Sequence, residues 1–196
     1  IARLNSADGL TGEVTTIPAE GTLLPNTYSY ALNEPRQRVI ERMQAAMGAA
    51  LDAAWEERAS DTMVNTKLEA LTLASIVEKE TAIAAERALV ASVYTNRLRQ
   101  GMRLQADPTL VYYLSAGTGR LGRGLKRSEL LDESNPYNTY KHSGLPPGPI
   151  ANPGIDAILA ALTPAQTDYI FFVAGCDGAT AFTKTYAEHQ QRVDDD

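Results

Sequence analysis

Leu73-Ala74-Ser75-Ile76-Val77-Glu78-Lys79-Glu80-Thr81-Ala82 sets two acidic side chains inside an otherwise apolar helical run. At about 100° per residue, Glu80 shares a helix face with Leu73, Ile76, Val77, Ile83 and Ala84. If that face packs inward, the carboxyl group loses water, and desolvation favours its protonated form. A glutamic acid that stays protonated near neutral pH is a general acid of the kind that breaks acetal and glycosidic bonds. Most helical glutamates are instead solvated, and a Glu-Lys-Glu triplet is common on exposed faces. Glu78 lies about 160° around the axis from Glu80, among Leu71, Ala74, Ala82 and Ala85, so periodicity leaves both acids open. Glu80 has the bulkier apolar neighbours and the stronger case for a dry pocket.

Outward from this helix, the period extends from Lys67 to Gln100, longer than one ordinary globular helix, and predicts two helices meeting near Thr81–Ala85, the second capped by Gly101. Asn33-Glu34-Pro35 starts another helix over residues 36–58, where Val39, Ile40, Met43, Met47, Leu51, Ala54 and Trp55 form an amphipathic face. Before it, residues 1–35 read as irregular or strand-like. Met102-Arg103-Leu104-Gln105-Ala106-Asp107-Pro108-Thr109 predicts a short strand or turn leading into Leu110–Leu114, and the glycines between 115 and 135 a long surface loop. Their Gly-x-Gly spacings neither follow a strand nor open a helix, so they make a weak phosphate site. Ile155–Leu162 reads as a short helix. Tyr169–Ala174 reads as a buried strand, paired with Ala181–Thr185 across a Cys176-Asp177-Gly178 turn. His189 falls on a polar C-terminal helix and reads as a surface residue, with Asp194–Asp196 a frayed tail.

Residues 134–154 contain five prolines and three glycines in 21 positions, an extended path that no helix can hold. Interleaved Tyr and Asn set it apart from a linker, because a saccharide site uses ring faces for stacking and amides for hydroxyl groups. The rigid aromatic segment and the apolar acid-bearing helix together predict that Tyr137–Tyr140 and Pro146–Gly148 wall the groove that holds Glu80.

With 196 residues and 44% hydrophobic content, the chain can bury a substantial core without disulfides or metal. Cys176 is its single cysteine, which excludes an internal disulfide and a Cys-rich metal site. A net charge of −6 argues against a nucleic-acid binder. No run approaches the roughly 20 apolar residues of a membrane span. The start at Ile1 reads as a fragment or processed form.

The helix run quoted above, Glu86-Arg87, Val93-Tyr94-Thr95-Asn96-Arg97-Leu98, Leu104-Gln105-Ala106-Asp107-Pro108-Thr109, Tyr137-Asn138-Thr139-Tyr140 and Gly144-Leu145-Pro146-Pro147-Gly148-Pro149-Ile150 together resemble the YceG-like (MltG) endolytic murein transglycosylases of bacteria. Glu20-Gly21 with Pro25-Asn26-Thr27-Tyr28 is similar to the family's Glu-Gly…Pro-x-Thr-Tyr pattern. The resemblance implies an α+β fold, with a helical catalytic core, a small sheet, long Pro/Gly-rich loops and a lysozyme-like groove, as a single catalytic domain over residues 1–196. An N-terminal membrane anchor and most or all of a LysM-like subdomain would be absent from it. The implied activity is internal cleavage of peptidoglycan strands between N-acetylmuramic acid and N-acetylglucosamine, leaving a 1,6-anhydro end, with no cofactor and no metal. The place of action would be the periplasmic face of the inner membrane, and the partner a penicillin-binding protein or another peptidoglycan synthase.

Glu80-Thr81 looks like the Glu-Ser pair of other lytic transglycosylases, which favours Glu80 over Glu78 as the catalytic acid. Substrate-binding candidates are Glu20, Ser75, Gln105, Asp107, Thr109, Tyr137, Asn138, Thr139, Tyr140, Pro146, Pro147 and Gly148, with Glu20 equally able to order its loop. Two rivals stand beside this reading. An aminodeoxychorismate lyase needs a pyridoxal phosphate lysine and a phosphate cup, and no Gly-rich loop opens a helix near Lys67 or Lys79. A peptidoglycan-binding scaffold that cuts nothing would use the same groove.

Overall fold

Thr66 begins the helix around which the chain folds. Its hydroxyl accepts from the Glu69 N–H while the Glu69 carboxylate accepts from the Thr66 N–H, a reciprocal cap that satisfies two of the first-turn donors. In the computed structural model, which describes residues 4, 6–175 and 180–195, this helix is α2, Lys67–Glu80. Before it come a two-residue parallel pair, β1 (Leu10–Thr11) with β2 (Glu34–Pro35), and α1 (Arg36–Glu56). After it come α3 (Arg87–Arg99), entered by a single 3-10 turn at Ala84–Glu86, then α4 (Asp107–Leu114), α5 (Arg127–Leu130) and α6 (Ile155–Leu162). An antiparallel hairpin, β3 (Phe171–Ala174) with β4 (Thr180–Thr183), and α7 (Tyr186–Asp195) complete the α+β architecture.

Every residue of α2 from Ala70 to Val77 is buried, so the helix lies inside the domain and not on its surface. It packs most extensively on α6, where Ala157, Ala160 and Ala161 are also buried, and small side chains on both helices let the axes approach. Met47, Leu51 and Ala54 of α1, Val90, Ala91 and Tyr94 of α3, and Leu104 and Ile150 from the loops close the same core. Burying Leu73 and Ile76 contributes about 1.5–3 kcal/mol each. Gly101, at φ 67°, ends α3 as expected, its N–H reaching Leu98 O and the next N–H reaching Arg97 O.

Several expectations change. Of the strand or turn expected from Met102, no strand forms, because Gln105 takes φ 53° and its N–H is drawn to Thr139 O. Helix α4 starts earlier than Leu110, with Pro108 in its first turn, where the missing N–H costs nothing. The loop over 115–135 contains α5. The strand at 169–174 begins at Phe171 and is half-exposed, since a two-stranded sheet covers the core from one side. The Cys176–Gly178 turn falls outside the described residues. Among the described residues no helix is long and apolar enough to cross a membrane.

Candidate active site

Glu80 is the last residue of α2, and its carboxyl group opens into a cavity of about 330 Å³. Tyr94, Arg97, Leu104, Gln105, Asp107, Tyr140, Phe171, Phe172, Tyr186 and His189 line the rest of that cavity. Tyr94 Oη donates to Glu80 Oε1 at 2.5 Å. Burial pushes the Glu80 pKa from its ordinary 4.5 up to about 7; the Tyr94 bond opposes the rise, the nearby Asp107 charge adds to it and Arg97 opposes it. The negative end of the α2 dipole also disfavours a carboxylate there. Burial and the neighbouring Glu80 hold the Tyr94 phenol well above its usual range, so Tyr94 remains a donor throughout the titration of Glu80.

Glu78 turns the other way. Its Oε1 accepts from Arg87 Nη2 at 3.4 Å and its Oε2 from the Gly154 N–H at 3.1 Å, so it ties α2 to α3 and to the start of α6. Helical angle alone left the two acids open, and their hydrogen-bond partners separate them.

Arg97 joins two banks of the cavity. Buried on α3, it donates through Nε to Ile170 O at 2.7 Å and through Nη1 to Leu104 O at 2.6 Å, which holds the entry to β3 and the 104–107 bend on one guanidinium. Its neighbour Asn96 donates to Thr167 O and Tyr169 O. On the opposite bank, Tyr140 Oη donates to Asp107 Oδ1 at 2.5 Å, and the Tyr140 phenol is raised by burial and by Asp107. Asp107 opens α4, so its carboxyl group sits at the helix N-terminus. Gln105, left-handed at φ 53° without being glycine, is held there by the residue 139 backbone; non-glycine residues in this conformation collect at functional sites.

Of the expected substrate-binding residues, Gln105, Asp107 and Tyr140 thus share the cavity with Glu80. The others lie elsewhere. Ser75 is fully buried, its hydroxyl donating to Thr72 O and accepting from the Ile150 N–H, which pins the Pro-rich segment onto α2. Thr109 and Thr139 are buried against each other, and Thr139 Oγ1 accepts from the Ala106 N–H. Asn138 is buried with its amide donating to Glu129 O, Leu130 O and Asp132 O and its carbonyl accepting from the Tyr140 N–H. None of these side chains lines the Glu80 cavity, and an amide or hydroxyl whose hydrogen bonds are all made within the protein has none left for a sugar.

Tyr137 packs on Tyr112 and Tyr113, and Gly148 lies beside its hydroxyl. Neither Tyr137 nor Pro146, Pro147 or Gly148 lines the Glu80 cavity, so the expected wall reduces to Tyr140. Glu20 borders a separate hollow of about 300 Å³ with Glu78, Lys79 and Asn152. Its Oε1 accepts from Asn152 Nδ2, whose partner oxygen accepts from the Leu23 N–H, so Glu20 orders the segment that crosses the Pro-rich loop. A larger hollow of about 510 Å³ between β4 and α7 is bordered by Lys184 and Glu188, which are paired with Asp168 and with the Lys184 and Thr185 N–H groups.

Sequence reasoning missed Tyr94, Arg97, Phe171, Phe172 and Tyr186, and placed His189 at the surface. On a helix a tyrosine facing inward reads as packing; the signal that could have found it is Tyr94 with Arg97 three residues on, two polar groups on one face of an otherwise buried helix. His189 is half-buried because Phe171 stacks on its ring, a contact that the polarity of α7 hides.

A helical core carrying one desolvated glutamic acid at the end of a central helix, with a Pro-rich strap behind it, defines the class, and residues 2–195 match the YceG-like family: the chain belongs to it. Proteins called endolytic murein transglycosylase are similar, from Bacillus subtilis at 40% identity over 89% of this chain and 47% of that protein, and from Streptococcus pneumoniae at 35% over 89% and 31%. A crystal structure of a yceG-like protein from Listeria monocytogenes has a TM-score of 0.74 at 37% identity, covering 87% of this chain and 54% of that one. The chain therefore spans about half or less of the length of these relatives.

Proposed function

We propose that this chain is the catalytic part of an endolytic murein transglycosylase, with Glu80 as acid and base in turn. One observation carries the reading: a carboxyl group with a pKa of about 7, bound on one oxygen by Tyr94 and set in an open cavity. Because Tyr94 occupies Oε1, Oε2 is left to carry the proton. Glu80 gives that proton to the oxygen linking N-acetylmuramic acid to N-acetylglucosamine, and the C1–O4 bond breaks. The resulting carboxylate takes the proton from the muramic C6 hydroxyl as O6 bonds to C1. No water is consumed and Glu80 is restored. A pKa near 7 suits a group that must both give and accept a proton near neutrality. Asp107, at the start of α4 and in the same cavity, is placed to face the positive charge of the oxocarbenium-like transition state. Action at the periplasmic face of the inner membrane, beside a penicillin-binding protein or another synthase, belongs to the same proposal.

Asp107 also favours one rival. Two carboxylates in one cavity are what a hydrolytic muramidase needs. Mass analysis of the products from purified glycan strands decides between them. The proposal expects anhydro ends, about 18 mass units lighter than hydrolysed ones, and their loss in Glu80→Gln with Glu78→Gln much less affected. Mainly reducing ends would establish the muramidase, and intact strands with wild-type protein would establish the non-cutting scaffold.

A further inference from the structure

Helix α7 is polar and mostly exposed, and packs chiefly on β3 and β4. Two of its side chains, Tyr186 and His189, are three residues apart and so share a face. Both reach the Glu80 cavity. The His189 ring stacks on Phe171 at 5.2 Å between centroids with 18° between planes, and Tyr186 meets the same ring nearly edge-on at 6.0 Å. The Arg97 guanidinium lies over Phe171 at 5.2 Å, and Phe172 stands edge-on to Tyr94, the partner of Glu80. The catalytic acid and an aromatic wall are thus joined through α3.

Packing alone would be served by a hydrocarbon ring. An imidazole in this place carries two nitrogens, and Nδ1 is buried with no hydrogen-bond partner. With Nδ1 sealed, Nε2 is the polar atom left for a ligand, as donor or acceptor according to tautomer. His189 and the Arg97 guanidinium already lie on Phe171, so the stack offers the cavity a ring edge beside one polar atom, which can take an apolar patch of a pyranose together with a hydroxyl or acetamide on the heteroatom.

We propose that the Phe171–His189 stack is a sugar-binding wall of the Glu80 cavity, with Nε2 of His189 bonding one N-acetylated pyranose of the strand, so that α7 is part of the site. This rests on the glycan-cleaving function proposed above. The groups that face His189 are Arg97 from α3 and Tyr186 on its own helix, with Glu80, Asp107 and Tyr140 across the cavity. Burial first and Arg97 second hold the imidazole below its ordinary range. It is therefore neutral at the pH where Glu80 is half-protonated, and acidification places a second cation beside Arg97 and weakens sugar binding.

The chain has two histidines, His142 and His189, and His142 lies apart against Glu133 O. Their ring proton resonances are assigned with His142→Ala. In the Glu80→Gln protein, which holds substrate uncut, a GlcNAc–MurNAc tetrasaccharide is expected to move the His189 resonance and leave that of His142 in place. In the active protein, His189→Phe keeps the stack and loses the nitrogen. It should raise KM about tenfold, the loss of one hydrogen bond, change kcat far less, and flatten the acid limb of kcat/KM against pH, while His142→Ala leaves KM unchanged. An unmoved His189 resonance, or an unchanged KM in His189→Phe, overturns the inference while strand cleavage by wild type still stands. If wild type neither cuts strands nor binds the tetrasaccharide, the proposed function falls and this inference with it.

Discussion

A half-buried glutamic acid with a raised pKa is a cost to the folded state that depends on pH. The unfolded carboxyl titrates near 4.5 and the folded one near 7, so the stability that Glu80 contributes is fully present below about 4.5 and is lost as pH rises through 7. The rise is worth roughly 3 kcal/mol. Glu80→Gln removes the titration, so the variant should be more stable than wild type at about pH 8 by up to this amount, with the gap closing by about pH 4–5. Denaturant unfolding at the two pH values measures it, and equal gaps would contradict the burial of the carboxyl group. Tyr94→Phe tests the other side of the same bond. Tyr94 lowers the Glu80 pKa, so losing the hydroxyl should move the alkaline limb of kcat/KM to higher pH. A shift to lower pH would mean that Tyr94 stabilises the neutral acid. Glu80 was legible from period and resemblance, whereas Tyr94 was not, because nothing in a local pattern tells a buried phenol that packs from one that donates to a residue 14 positions away.

Among the elements, helices were the most legible. The break at Thr81–Ala85, the extent of α6 and the glycine stop of α3 all follow from period and caps within a few residues of each other. Ile76, fully buried on α2, should cost about 2–5 kcal/mol as Ile76→Ala, seen as a lower denaturation midpoint with unchanged slope. The Tyr137–Tyr140 segment was legible in its composition as rigid and turn-rich, but the direction of each side chain was not. Its Asn138 has a hydrogen-bonding environment made by Glu129, Leu130 and Asp132, which no spacing rule relates to it. Asn138→Ala leaves those carbonyls and the Tyr140 N–H unpaired, at about 1–3 kcal/mol for each group that water cannot reach. The variant should therefore lose thermal stability at least as clearly as turnover, and a fully stable but inactive variant would return Asn138 to the substrate.

At the scale of the molecule, the cavity is assembled from the end of α2, the face of α3, the 104–107 bend, Tyr140, β3 and α7, pieces spread over more than half of the chain. Distant pairings of this kind were the least legible, since period and turn chemistry act within a few residues. The same is true of the Glu20–Leu23 segment, which crosses the Pro-rich strap. Gly21, at φ 82°, passes so close that an added Cβ would stand 2.7 Å from Pro149 Cγ. Gly21→Ala therefore meets both a strained backbone and a clash with a rigid ring, and should lower the melting temperature by several degrees, consistent with about 1–2 kcal/mol. An unchanged melting temperature would show that this crossing is not held in the folded protein.

Arg97, with one nitrogen on Leu104 O and another on Ile170 O, sets the spacing between the 104–107 bend and the entry to β3 at the cavity. A span fixed by a single planar cation does not widen easily, so whatever enters the cavity between these two banks is selected by cross-section before any chemical group is read. A lysine in place of Arg97, offering one ammonium where two fixed donors stand, would turn a rigid calliper into a loose one.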